Sequence, residues 1–591
     1  MTRADRDIPP PHVLREYSLV ADGERGALIG PRGEIAWLCV PAWGDDAVFS
    51  SLIGGPGTYS VTPVERFVWG GYYEQDTLIW RSRWVTVSGV VECREALTFP
   101  AERDRAVLLR RVVAHDGDAR VKVVFEPRAG FGSDPLTDLK VEHGIWTART
   151  GGLKVRWQGA GAARPCGERG NRRLELELVV ADGTHHDLVL ELACGALPEE
   201  PVDSDQAWAA TEAAWSSQVP RLDSCLGPSD ARRSYAVLRG MTSSSGGMVA
   251  AATTSLPERA EAGRNYDYRY VWIRDQSYAG HAMAAAGDER LLTDAIRFVS
   301  ERLLEHGPKL APAYTATGAP VPDQRQLGLP GYPGGFDQVG NWVNKQFQLD
   351  AFGEALLLLA EGESCGVLDS EGWRALETAA AAVAERWQEP DAGIWEIDDR
   401  PWTHSRLIAS AGLRAAARVA PRGQAAVEWL ALADRILADT SARAVHRDGH
   451  WMRSPDDDGL DGSLLMVALR GAVAPDDPRT KATLAAYQRE LTQDGYAYRF
   501  RQGPGPLGEA EGSFSLCGFV MAMVCLQQGD PVSAVAWYER IKSACGPPML
   551  YSEEYDVGEH QMRGNLPQAF VHAVMLEASA RLAGLPMPTR Q

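Results

Sequence analysis

The sequence predicts a two-domain chain, an N-terminal antiparallel β-sandwich followed by an (α/α)6 barrel. Three observations predict it. Before about residue 200, short apolar stretches alternate in two-residue steps and end in turn signals. After about residue 228, apolar positions recur every three or four residues through twelve segments. The connections after every second segment are long, so they gather at one end of a ring of helical hairpins. The expected divisions are 1–203 for the sandwich, 204–228 for a linker with a connecting helix, and 229–591 for the barrel.

The elements follow in order. The strands come from stretches such as RFVWGGYYEQDTLIWRSRWVTVSGVVECREALTF, AVLLRRVVAHDGDARVKVVFEP and LELELVVADGTHHDLVLELAC. Asp-Gly in AHDGD and ADGTHHD supplies the positive φ of hairpin turns. Many strands without intervening helices mean paired antiparallel sheets. Residues 204–217 read as a connecting helix, capped by Asp203 or Ser204, with Trp208 and Trp215 on one face. Helices are expected at 229–242, 276–287, 288–305, 344–361, 371–388, 404–420, 423–445, 460–472, 478–492, 512–529, 530–545 and 565–584, with no strand among them. Asp477-Pro478 and Asp530-Pro531 pair a capping carboxylate with proline at the first helical position. Gly287 and Gly529 stand where helices stop. Six antiparallel pairs can close into a toroid; an open solenoid would show a fixed repeat, and none is found.

The 591 residues carry 60 basic and 79 acidic side chains, a net charge of −19. Such a chain repels phosphate backbones and anionic lipid, so nucleic acid and membrane are not expected partners. The N-terminal residues hold charges and prolines where a signal peptide needs an apolar stretch of about 7–15 residues. The nine cysteines are scattered and form no CxxC pair, so a reduced, cytoplasmic protein is expected, with no metal or other cofactor signalled. Self-association into a homo-oligomer stays open. The 18 tryptophans suit sugar-ring stacking, although large cores also use tryptophan.

The long connections hold the candidate chemistry. NYDYRYVWIRD (265–275) packs Tyr266, Tyr268, Tyr270 and Trp272 around Arg274 and Asp275. Aromatic faces beside an Arg-Asp pair can stack on a sugar and bind its hydroxyls, although Arg-Asp alone equally makes a structural ion pair. DAGIWEIDD places Glu396 directly after Trp395, and LYSEEYDVGE places Glu553 beside Glu554. Glycoside hydrolysis by inversion needs one protonated carboxyl for the leaving oxygen. It needs a second, ionised one for water, about 6.5–9.5 Å away. A carboxyl against tryptophan in an apolar site would have its pKa raised. Any single glutamate is by default a solvated surface residue, so the case rests on the grouping.

These blocks resemble glycoside hydrolase family 15, the glucoamylase-like and actinobacterial trehalase-like enzymes, over essentially the whole chain. GERGALIGPRGEIAWLCVP resembles the start of the bacterial members' sandwich. TTSLPE (253–258), NYDYRYVWIRD, GNWVNKQFQLDAFGE (340–354), GIWE (393–396), EGSFSLCGF (511–519) and GNLPQAFVH (564–572) match family blocks in order. The resemblance implies an inverting exo-acting hydrolase of α-glucosides that releases β-glucose from non-reducing ends of short α-gluco-oligosaccharides without metal chemistry. It places Glu396 as general acid and Glu553 as general base. It assigns Arg274 and Asp275 to the sugar hydroxyls, Tyr268 and Trp272 to the aromatic wall, and Arg499 to substrate contact. Trp395, Glu554, Trp342, Trp402 and His404 complete the expected substrate-binding set. Glu396 is followed by IDDRPWTHS, shorter than in many bacterial members, and GYPGGFDQVGN (331–341) carries Phe336 and Asp337 in place of the usual residues. Both departures are expected on the leaving-group side.

Trehalase, hydrolysing the α,α-1,1 bond, is the alternative, since it would use the same residues. A disaccharide phosphorylase would need an anion cradle in place of the second carboxyl, and a non-catalytic sugar binder would need neither carboxyl.

Overall fold

A computed structural model of the chain describes residues 10–168, 171–258, 265–501 and 511–583. The first nine residues of the N-terminal reading, the last residue of the 565–584 helix and residues 502–510 of one long connection lie outside the described residues.

The sandwich is an eight-stranded antiparallel sheet packed on a four-stranded one. In spatial order the larger holds strands at 136–142, 145–150, 153–158, 185–193, 105–115, 90–97, 80–85 and 68–73. The smaller holds 164–166, 173–180, 119–126 and 58–63. Strand Ala119–Glu126 alternates buried and open side chains, as one inward face demands. Tyr59, Trp80, Trp84, Phe125 and Trp157 fill the core between the sheets. Both Asp-Gly turns lie in the left-handed region, with Asp116 at φ 56° and Gly183 at φ 71°. Neither closes a hairpin, contrary to expectation. Each carries the chain from one sheet to the other, and the two arches bind each other through Gly117 N–H to Asp182 and Asp182 N–H to Asp118. Local alternation marks a strand without naming its partner, which sheet packing selects.

A third, four-stranded sheet at 18–49 has every strand residue buried, wedged between sandwich and barrel. Trp37 donates its indole N–H to Ala252 O at 2.9 Å, and Arg269 donates to Asp45 O at 2.7 Å. Helix α1 (Ser204–Gln218) is capped by Asp203 and buries Trp208 and Trp215, as its spacing predicts.

The barrel helices are α2 (Pro228–Met241), α3 (Ile273–Ala286), α4 (Glu289–His306), α5 (Leu349–Ser364), α6 (Ser370–Arg386), α7 (Thr403–Val419), α8 (Gln424–Arg443), α9 (Met466–Leu469), α10 (Pro478–Glu490), α11 (Ser515–Gln527), α12 (Pro531–Lys542) and α13 (Ala569–Arg581). The odd-numbered helices α3 to α13 form the inner ring, closed by α13 against α3, and the even-numbered ones pack outside. Buried on all sides, inner helices such as α11 and α13 are apolar or small nearly throughout. Asp477 and Asp530 cap α10 and α12 as expected, and Gly287 and Gly529 take positive φ at helix ends.

The 460–472 helix is mostly absent: a 3-10 turn, Gly462–Leu465, leads into the single turn of α9, and the chain reverses at Gly471. Short strands also occur among the helices, including Val271–Trp272 with Ala313–Tyr314, and Ser513–Phe514 with Glu554–Asp556 and Gln561–Arg563. Two or three residues are too few to display a period. Among the described residues no helix is long and apolar enough to cross a membrane, and all nine cysteines are free.

The α5–α7 contact depends on two glycines. A Cβ at Gly353 would sit 2.7 Å from Ala409 N, and one at Gly412 would sit 2.5 Å from Gly353 O. Backbone cannot yield as a side chain does. Gly412→Ala should therefore cost about 1–3 kcal/mol by thermal unfolding, with KM unchanged.

Candidate active site

Every long connection runs from an outer helix into the N-terminus of an inner one. The inner N-termini therefore meet at one end, where their N–H groups and dipoles favour negative charge. A pocket of about 170 Å³ opens there. Trp272 precedes α3 in a two-residue strand, and Arg274 and Asp275 lie in the helix's first turn, three residues earlier than the sequence pattern places its start. Tyr268 meets Trp272 edge to face at 5.5 Å and stacks on Tyr266 at 6.2 Å. All five of these side chains line the pocket.

Glu396 faces them. Trp272 donates its indole N–H to Glu396 Oε1 at 2.7 Å, and Arg274 Nη2 stands 3.7 Å from the same oxygen. Arg274 also donates to Ile394 O at 3.0 Å and to Asp275 at 3.3 Å. Burial lifts the Asp275 carboxyl to about 6, against the pull of Arg274.

The loop of Glu396 is tied down from below by Asp391. Its Oδ2 accepts from Gly393 N–H at 3.1 Å, from Leu349 N–H at 3.2 Å and from Ser405 Oγ at 2.8 Å. One buried carboxyl thus joins the loop to the first turns of α5 and α7. Burial, then the nearby Asp350, push it to about 7. Glu396 itself sits at φ 52°, a left-handed conformation such anchoring sustains. Asp391→Ala should cut turnover about 10–100-fold with KM little changed, whereas Asp391→Asn, which keeps an acceptor, should retain most activity in steady-state assays.

Glu553 comes from the connection before α13, and Gln568 and Phe570 reach the pocket from the start of that helix. Glu553 is buried, and its Oε2 meets no donor from the described side chains. Burial and the neighbouring Glu258 carboxyl push its pKa well above the usual range, while Arg499 opposes them.

Glu553, Glu396, Tyr268, Trp272, Arg274, Asp275, Trp395 and Arg499 all line one pocket, with Trp342 half exposed at its mouth. Three expected residues do not. Glu554 begins an extended strand, so it points away from its neighbour. It is fully buried, accepting from Arg499 and from Gly512 N–H, each at 3.1 Å. Trp402 lies beneath the loop against Gly393, its N–H on Asp398 O at 2.9 Å. His404, in the first turn of α7, borders a separate small cavity, and burial keeps it neutral by lowering its pKa to about 4. Asp337 likewise turns to backbone, accepting from Leu327 and Leu329 N–H.

Glu258, Gln346, Asn341 and Phe514 also line the pocket and were not singled out. Glu258 and Glu511 stand inside the matched blocks TTSLPE and EGSFSLCGF, which was their only signal. Among the described residues, two His/Asp groups lie close enough for a cation, His446/Asp448/His450 and His185/Asp187/Asp205. Neither lines the pocket. The His446 and His450 rings stack in parallel at 4.4 Å, so one ion cannot lie in both ring planes.

Paired carboxyls, an Arg-Asp pair and aromatic walls at the inner-helix N-termini of an (α/α)6 barrel are the layout expected of a glycoside hydrolase. Residues 232–580 match the profile of Glycosyl hydrolases family 15, and residues 10–215 match that of the trehalase-like N-terminal domain. The chain belongs to glycosyl hydrolases family 15. It is 29% identical to a trehalase of Mycobacterium tuberculosis across 97% of this chain and 89% of that one. It is 26% identical to Trehalase 1 of Sulfolobus acidocaldarius across 97% and 99%. A bacterial glucoamylase complexed with acarbose shares the fold at TM-score 0.71 and 13% identity, over 98% of this chain and 95% of that one. A wild-type glycosidase covers 63% of this chain and 99% of its own at TM-score 0.50 and 22% identity.

Proposed function

We propose that this hydrolase is a trehalase that cleaves the α,α-1,1 bond with inversion, Glu396 acting as general acid and Glu553 as general base. The observation that carries the reading is that both carboxyls line the pocket walled by Tyr268, Trp272, Arg274 and Asp275. The choice of trehalose over other α-glucosides draws on the trehalases matched along nearly the full chain.

Arg274 and Asp275 hold the hydroxyls of the glucose being cleaved, and Tyr268 and Trp272 wall its ring. The Trp272 N–H fixes one oxygen of Glu396, leaving the other to carry the proton. That proton passes to the bridging oxygen as its bond to the anomeric carbon breaks. A water attacks the opposite face, its oxygen bonding to the carbon and its proton passing to Glu553. One glucose leaves as the β anomer by inversion, and the other leaves as the α anomer. Trp342, half exposed at the mouth, and Gln346 in the lining receive the second sugar.

Anomer-resolved NMR during hydrolysis of trehalose, maltose, isomaltose, kojibiose and dextrin tests this. Equal initial α- and β-glucose from trehalose is expected. Cleavage of maltose or dextrin with none of trehalose would return the reading to a glucoamylase-type α-glucosidase. Retention of the α configuration would overturn the roles of both carboxyls.

A further inference from the structure

The pocket holds more negative charge than two reacting carboxyls explain. Arg499 faces four glutamates, Glu258, Glu511, Glu553 and Glu554, brought in by three different connections. Its Nη2 donates to Glu258 and to Glu554, each at 3.1 Å, and its Nε donates to Glu511.

Glu258 is 3% exposed. It accepts from the Tyr268 hydroxyl at 2.9 Å on Oε1 and from Arg499 at 3.1 Å on Oε2. Both of its oxygens are thus held by donors. Glu553 differs, since no described donor reaches its buried Oε2 and the group beside it is the Glu258 carboxyl. The two flank Gly564, where a Cβ would lie 3.2 Å from Glu553 Cβ and 3.5 Å from Glu258 Cγ. Two buried carboxyls side by side share a proton more readily than they hold two charges.

We propose that Glu258 is a positioning residue for Glu553: its carboxylate, held by Tyr268 and Arg499, accepts the hydrogen bond that protonated Glu553 donates. This rests on the role of Glu553 as general base and goes beyond it by naming the group that receives the base's new O–H. In the reaction the water's O–H bond breaks, its oxygen joins the anomeric carbon and its proton joins Glu553. That O–H bonds to Glu258 only as the transfer proceeds, so the contact strengthens toward the transition state. Before the next turnover, the proton leaves Glu553 for solvent and Glu396 regains one. The same Glu258 charge makes Glu553 lose its proton at higher pH than an isolated glutamate. Of the other groups facing the pair, Glu511 behind Arg499 acts on Glu553 in the same direction and Arg499 opposes it, while Glu396 and Glu554 lie across Tyr268 and Arg499.

The test is the pH profile of kcat/KM for wild type, Glu258→Gln, Glu258→Asp and Glu553→Gln, on trehalose or whichever α-glucoside is cleaved. Glu258→Gln removes the charge, so its acidic limb should move down by about one pH unit. Its plateau kcat should fall about tenfold with KM little changed. Glu258→Asp keeps the charge one methylene further off, so its limb should move the same way by less. A Glu258→Gln limb that overlays wild type or moves upward overturns the inference. Should that variant not fold, an unmoved limb in Glu258→Asp does the same. Glu553→Gln separates the two assignments. If it is inactive while the Glu258 limb stays put, only the inference fails. If it turns over like wild type, the base assignment fails and the inference with it.

Discussion

Glu396→Gln should lower kcat on trehalose by about 10³-fold, or about 4 kcal/mol, with KM changed only slightly. The amide keeps the shape and can still accept the Trp272 N–H through its oxygen. It has no proton to give the bridging oxygen. A substrate with a good leaving group, such as an α-glucosyl fluoride, needs little proton donation. On it, the variant should recover most of the lost rate. Loss of the same size on both substrates would place the defect in loop geometry and remove the acid role. Steady-state assays of both substrates on variant and wild type decide between these outcomes.

Arg499→Met should have the largest effect on stability, a loss of about 3–5 kcal/mol near neutral pH. The guanidinium is buried against Glu258, Glu511 and Glu554, with Glu553 adjacent, and methionine leaves those carboxyls without their cation. The loss should shrink as pH falls. In the folded protein, burial pushes Glu553 and Glu554 well above the ordinary glutamate value, so the native state binds more protons than the unfolded chain between those values. Stability therefore falls as pH rises through that window, and removing Arg499 widens the window. Urea unfolding of both proteins at about pH 5 and about pH 8 should show the larger gap at the higher pH. A gap independent of pH would mean that Arg499 acts through packing alone.

Much of the site was readable from residue order. Arg274, Asp275, Trp272 and Tyr268 sit within one eleven-residue block, so any fold that presents the block presents them together. Glu396 stands in the matched GIWE block and Glu553 in a paired-glutamate segment between two matched blocks, each on a connection at the barrel's open end. Glu258 and Glu511 stood in such blocks too. Their role depends on what faces them, and Arg499 reaches Glu258 from 241 positions away. His404 and Trp402 follow Glu396 closely, yet the α7 first turn and Gly393 carry both beneath the loop and out of the pocket.

Periodicity by itself determined the two-domain order, the positions of most helices and the end of the barrel where function lies. Each depends on short-range steric and solvation rules that operate within a few residues. Strand partners, the direction of a side chain beneath a loop and the grouping of four glutamates around Arg499 were decided only by tertiary structure. These depend on which distant surfaces meet, and burial there changes the charge a carboxyl can hold. The raised carboxyl was expected from a neighbour in sequence, Trp395 before Glu396. Glu553 is raised by burial and then by Glu258, a neighbour only in space.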